Sequence, residues 1–192
     1  MTGSDVRAAI ENVYWLGEVL ATDAKFAITL RATAGDTPEA RRAYVRSAFA
    51  FAEGMTHAFK RFALAVHADK ASLFSEAEVA MLRGVTYELE DSGDAVTRSK
   101  YLRFAPNIRL ALRAFSRAQG CPDPIDFSTA GWQALREGAR IRNRLMHPRT
   151  PTDLEVSDAD LELVDQGIRW FQSETGRLMG YRGAEATPAP RP

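Results

Sequence analysis

The chain has one cysteine, Cys121, in 192 residues. That excludes an internal disulfide framework and a multi-cysteine zinc site, and it suits a reducing compartment. Histidine is limited to three, and His57 and His67 stand ten residues apart in one predicted helix, so they do not share a ligand face. No HExxH, EF-hand, Walker or GxSxG pattern occurs, so neither a metal nor a cofactor is expected. No run approaches the roughly 20 apolar residues of a membrane span. The opening MTGSDVRAAIENV lacks the uninterrupted apolar core of a secretory leader. A cytoplasmic protein with no membrane segment is the expectation.

Net charge is lacking as well: 25 Lys and Arg balance 25 Asp and Glu. By itself that argues against a nucleic-acid binder. The distribution does not. Residues 1–94 hold 10 basic and 14 acidic side chains, residues 95–149 hold 11 and 3, and residues 150–192 hold 4 and 8. The middle segment is strongly basic inside a mildly acidic chain. Two readings follow: a surface for an anionic ligand, or a segment neutralised by acidic flanks packed beside it.

What the chain does have is helical periodicity. Val6, Ile10, Val13, Leu20, Ala24 and Ala27 form a first stripe behind Ser4 or Asp5 as cap, ending near Gly35. Thr37 as N-cap, Pro38 and Glu39 open a second helix, whose stripe runs from Tyr44 through Ala48, Met55, Phe59 and Phe62 to Val66. Ser75 and Glu78 form a capping box for a short third. Around 87–105 the pattern breaks at the turn Asp91-Ser92-Gly93-Asp94, which reads as a small hairpin or loop insertion. Helices resume after Pro106 to Gly120, over about 128–146, and from Ser157 to Leu178. An all-α, up-and-down antiparallel bundle follows, as one domain over 1–180 with a disordered Pro- and Ala-rich tail at 181–192.

One stretch stands out. RIRNRLMHPR, residues 140–149, holds four arginines, an asparagine and a histidine with no acid, and Pro148 stops the helix. At 100° per residue from Trp132, Leu135, Gly138, Ala139, Arg142 and Met146 fall on one arc of about 100°. Arg142 therefore sits inside an apolar face, where a guanidinium has to be paired, to snorkel, or to line a pocket or subunit interface. Arg140 and Arg144 point to the opposite side. Before proline, His147 is pushed off the helix. As a lone helix-end imidazole it could simply meet the last carbonyls.

Arg142-Asn143-Arg144-Leu145-Met146-His147, closing a bundle helix before Pro148, resembles the motif of the HEPN (higher eukaryote and prokaryote nucleotide-binding) superfamily: an arginine, a polar residue, and a histidine a turn or more later. Spacing alone is not selective, since Arg61 to His67 and Arg140 to His147 also fit. Only Arg142 has a polar residue next, lies on the apolar arc and precedes a helix stop. The segments YELEDSGDAVTRSKYLRFAPNIRLALRAF and HPRTPTDLEVSDADLELVDQGIRWF are similar to that family's polar turn and its loop into the final helix.

The resemblance implies an all-α bundle, commonly a homodimer, in which two motifs meet across a cleft as a metal-independent endoribonuclease of toxin or phage-defence type. Other members bind RNA or nucleotides without cutting, and a catalytically silent dimeric bundle acting as RNA-binding or interaction partner is the alternative. Some members carry a tyrosine two residues after the histidine that an antitoxin partner modifies. Arg149 stands there in this chain, which argues against that form of control, although an antitoxin or defence-system partner acting otherwise fits the reading.

The chemistry suits the residues. RNA is cut without metal when the 2′-hydroxyl attacks its own phosphodiester. His147 supplies an imidazole, which can serve as base or acid. Arg142 offers a permanently charged fork for phosphate, and Asn143 orients phosphate or imidazole. Arg140, Arg144 and Arg149 are the expected RNA-binding residues. A twofold dimer through the Trp132–Met146 arc and Arg142 would bring together the two histidines that acid and base catalysis wants.

Overall fold

A computed structural model describes residues 3–33, 35–70, 73–122 and 124–181. Six helices and one two-stranded sheet are found among them: α1 (Gly3–Thr33), α2 (Pro38–Asp69), α3 (Glu76–Arg83), β1 (Val85–Leu89), β2 (Ala95–Ser99), α4 (Phe104–Gln119), α5 (Ala130–Met146) and α6 (Asp158–Gly180). A 3-10 turn, Pro151–Leu154, lies between α5 and α6. The expected tail falls almost wholly outside the described residues.

Four helix starts are capped by side chains, whereas Ser4 and Asp5, expected to cap the first helix, lie inside α1. Thr37 accepts from the Ala40 amide with Pro38 in the first turn, Thr129 accepts from the Trp132 amide, and Ser75–Glu78 and Ser157–Asp160 form reciprocal capping boxes. Each satisfies amides that a helix start leaves without partners. α4 begins at Phe104, two residues before Pro106; proline in a first turn loses no helical hydrogen bond. The insertion is a hairpin that starts slightly earlier than the sequence suggested, with Val85 opposite Ser99 and Leu89 opposite Ala95. Gly93 takes a φ of 89° at its turn. Tyr87 and Leu89 are exposed, so the hairpin stands off the bundle.

Three contacts define the packing. α1 lies antiparallel on α2, where a Cβ on Gly54 would fall 2.4 Å from Leu20 Cδ1. α4 runs beside α2 in the same direction, stitched by Phe49–Phe104 at 5.4 Å and Phe59–Phe115 at 4.3 Å between ring centroids. The α3–hairpin connection carries the chain back to make that possible. α5 and α6 are antiparallel and touch backbone to backbone: a Cβ on Gly167 would sit 2.5 Å from the Leu135 amide nitrogen. Around these contacts, Val13, Phe49, Met55, Phe59, Leu112, Phe115, Trp132, Leu135, Leu145, Val164 and Phe171 are fully or almost fully buried in one core.

This packing corrects one expectation. The apolar arc of α5 is not a free interface. Trp132, Leu135, Gly138, Ala139 and Leu145 are buried within their own chain against α2 and α6, and only Met146, 48% exposed, is left to a partner. A helical wheel shows which face is apolar but not which neighbour covers it.

Candidate functional site

α5 ends where Pro148 forces it to. His147 adopts φ −133° and ψ 58°, off the helix, while its amide still donates to the Asn143 carbonyl at 3.0 Å. The segment beyond is tied down by arginines of α2. Arg46 Nη2 donates to the Leu145 carbonyl at 3.2 Å, Arg42 Nη1 to Leu154 at 3.3 Å, and Arg41 Nη1 to Val156 at 3.0 Å. Asp153 closes the turn by accepting from the amides of Arg149 and Thr150 at 2.8 and 2.9 Å. Those two amides hold the half-buried Asp153 carboxyl below its ordinary range. The helix end is thereby fixed by hydrogen bonds as well as by the buried Leu145 side chain.

Arg142 is paired, as its place on the apolar arc required. Its Nη2 lies 2.6 Å from each carboxylate oxygen of Glu53 on α2, and its Nη1 donates to Asn143 Oδ1 at 3.0 Å. The Arg142 side chain is 24% exposed and that of Glu53 40%, so the pair is open to solvent and contributes about 0–1 kcal/mol. With Asn143 Oδ1 occupied by Arg142, the amide nitrogen is left as a donor.

Arg142, Asn143 and His147 line one groove of about 600 Å³ with Glu53, Thr56, Tyr101, Arg103, Phe104 and Asn107. A shallower hollow of about 410 Å³ adjoins it, sharing Tyr101, Arg142, Asn143 and His147 and adding Arg144, Arg149 and Asp153. The volumes are in the range of small-ligand sites. Behind the groove, Lys60 Nζ donates to Asn107 Oδ1 at 3.2 Å. Burial pushes that ammonium below its ordinary range. The lining is donor-rich, with exposed Tyr101 offering a flat apolar ring at the edge.

The other predicted residues divide. Arg149 is exposed at the hollow. Arg140 does face outward, 77% exposed and 2.5 Å from Glu137, but it lines neither hollow. Arg144 corrects an expectation: it turns inward, donating to the Asp153 and Glu155 carbonyls and to Asp160 at 2.7 Å, the last in the α6 capping box. The loop after α5 folds back over that side of the helix, which wheel geometry does not foresee.

The alternative pair is separated in role. His67 Nδ1 accepts from the Phe74 amide at 3.1 Å and packs on that ring, while Arg61 is exposed on α2. His57, in α2, is shifted below its ordinary range by burial and by neighbouring Arg61 and Lys60. Among the described residues no group of three or more His, Cys, Asp and Glu side chains is placed to hold a metal ion.

Sequence reasoning missed Glu53, Tyr101, Arg103 and Asn107. Glu53 did carry a signal, being the only acid between Glu39 and Asp69. No family model, curated protein or solved structure matches this chain.

Proposed function

We propose that this chain is a HEPN-type, metal-independent endoribonuclease of toxin or phage-defence type, working as a homodimer in the cytoplasm. The supporting observation is that Arg142, Asn143 and His147 open on one donor-rich groove at a fixed helix end. His147 takes the 2′-hydroxyl proton or delivers a proton to the 5′-oxygen, with the second histidine supplied by a second copy. Arg142 stabilises the phosphorane charge, and Asn143 orients the phosphate. Tyr101 is placed to stack a base and Arg149 to meet the backbone.

Cleavage should persist in EDTA and leave a 2′,3′-cyclic phosphate, read by sequencing the RNA ends. His147→Ala should lower the rate by about 10²–10⁴ while circular dichroism stays that of wild type. Arg61→Ala and His67→Ala are the control pair and should leave the rate unchanged. If folded His147→Ala cuts as fast as wild type, the catalytic reading is wrong.

The alternative, an RNA-binding or interaction bundle that does not cut, is favoured by the Arg142–Glu53 pair, since an arginine held by a carboxylate offers less charge to phosphate. Wild-type protein that binds RNA and leaves it intact under every condition would decide for it.

A further inference from the structure

A second groove, of about 510 Å³, lies on the opposite face of α4 from the motif. Phe104, Asn107 and Ile108 look toward the motif groove, whereas Arg109, Arg113 and Arg117 follow each other at four-residue intervals along this second one. α5 adds Arg136 and the buried ring of Trp132. Four guanidinium groups thus share one hollow with a single carboxylate, Glu78. That carboxylate is already engaged by Arg117.

Like charges four apart on a helix repel, so the row is unfavourable unless something answers it. Among the described residues no carboxylate lies within 4.0 Å of Arg109, Arg113 or Arg136. Aromatic rings hold the row instead. Arg109 stacks over Phe127 at 4.9 Å and Trp132 at 5.2 Å, and Arg113 over Phe127 at 5.4 Å. Stacking orders a guanidinium while leaving its charge and its edge N–H groups available. Two buried donors at the wall, Arg109 Nε and Trp132 Nε1, have no acceptor. Arg136 Nη1 donates to Gln133 Oε1 at 2.9 Å, so the hollow is built of ordered cations with Glu78 as its single carboxylate.

We propose that this groove binds successive phosphates of a single-stranded RNA backbone, as a second contact on a substrate or ligand that also reaches the motif groove. The inference rests on RNA as the ligand class proposed above. Residues four apart on α4 advance about 6 Å along the axis, a stride that suits neighbouring phosphates of an extended strand. Planar forks on that stride take phosphate oxygens bidentately. The rings of Phe127 and Trp132 lie under guanidinium groups, so this wall reads backbone and not base sequence.

The test is anisotropy of a labelled single-stranded oligoribonucleotide with the full chain carrying His147→Ala, in EDTA, over a salt series. Arg113 and Arg136 are exposed and are replaced together by glutamine in that background. Kd should rise at least tenfold at low salt, and the slope of log K against log salt should shrink by about 1.4, the share of two phosphate contacts at about 0.7 each. The matching pair of Arg→Lys changes should keep most of the salt slope, because the charge is retained, while Kd falls between wild type and the glutamine pair, because lysine lacks the planar fork. Arg7→Gln with Arg169→Gln, exposed cations elsewhere, should change neither quantity. Unchanged Kd and slope in the glutamine pair would overturn the proposal. So would ATP that binds this groove with no RNA competing for it, which would make it a nucleotide pocket. Wild type that binds RNA through this groove without cutting it defeats the nuclease reading alone. Cutting with groove-independent binding defeats this inference alone.

Discussion

The two ends of α5 solve opposite problems on one helix. At its start, Trp132 and Leu135 are buried, Leu135 against the α6 backbone and Trp132 beneath the Arg109 guanidinium. At its finish, Arg142, Asn143 and His147 are exposed or half-exposed, and hydrogen bonds from α2 arginines to carbonyls of the last turn of α5 and of the following segment hold the surrounding backbone. The first end is positioned by close packing, which tolerates little change in volume. The second is positioned by polar contacts, which leave side chains accessible to a ligand. Close packing and accessibility of the motif side chains are thereby separated along one element.

That contrast can be broken most forcefully at the packed end. Trp132→Ala should cost about 3–5 kcal/mol, read by urea unfolding, because a fully buried ring leaves a cavity. A loss below about 1 kcal/mol would show that the packed end does not carry the fold. Gly167→Ala comes next, at about 1–3 kcal/mol, because its methyl group would meet the Leu135 backbone and neither helix has a flexible atom there to yield. Thermal unfolding at wild-type temperature would contradict it.

Smaller effects are expected at the polar end. Asp160→Asn weakens both the Ser157 capping box and the Arg144 contact, so a stability loss of about 1 kcal/mol is expected, with a larger fall in RNA affinity if the loop loosens. Calorimetry and anisotropy on the same sample separate the two. Glu53→Gln should be the mildest, within about 1 kcal/mol, because its pair is exposed. Its informative readout is binding: removing a negative charge beside Arg142 should tighten RNA a few-fold. Weaker binding would mean that Glu53 is needed to aim the arginine, which would sharpen the contrast.

The sequence made local structure legible and left tertiary partners hidden. Thr37, Ser75 and Ser157 announced helix starts because capping is decided within four residues. The turn at Asp91–Asp94 announced the hairpin for the same reason. Arg142 was legible as a charge needing a partner, but Glu53 lies 89 positions away. Arg144 was misread as outward-facing because its partners, in the loop and the first turn of α6, are supplied by a fold-back that helical phase does not encode. The basic segment is neutralised only in part: Arg117, Arg142 and Arg144 meet acids from the flanks, whereas Arg109, Arg113 and Arg136 meet none among the described residues.

The close approach of Gly167 to Leu135 carries a mechanical consequence. Helices held apart by side chains can ratchet past each other by a turn, but two backbones in contact have no such sliding coordinate. With α5 and α6 acting as one strut, the groove cannot adapt to a ligand by moving the helix that bears Arg142. Adjustment falls to rotamers of Glu53 and Arg142 and to the Tyr101–Arg103 segment that leads from the hairpin into α4. The rigid wall and the compliant wall of the site are therefore different stretches of chain, and a ligand is fitted from one side only.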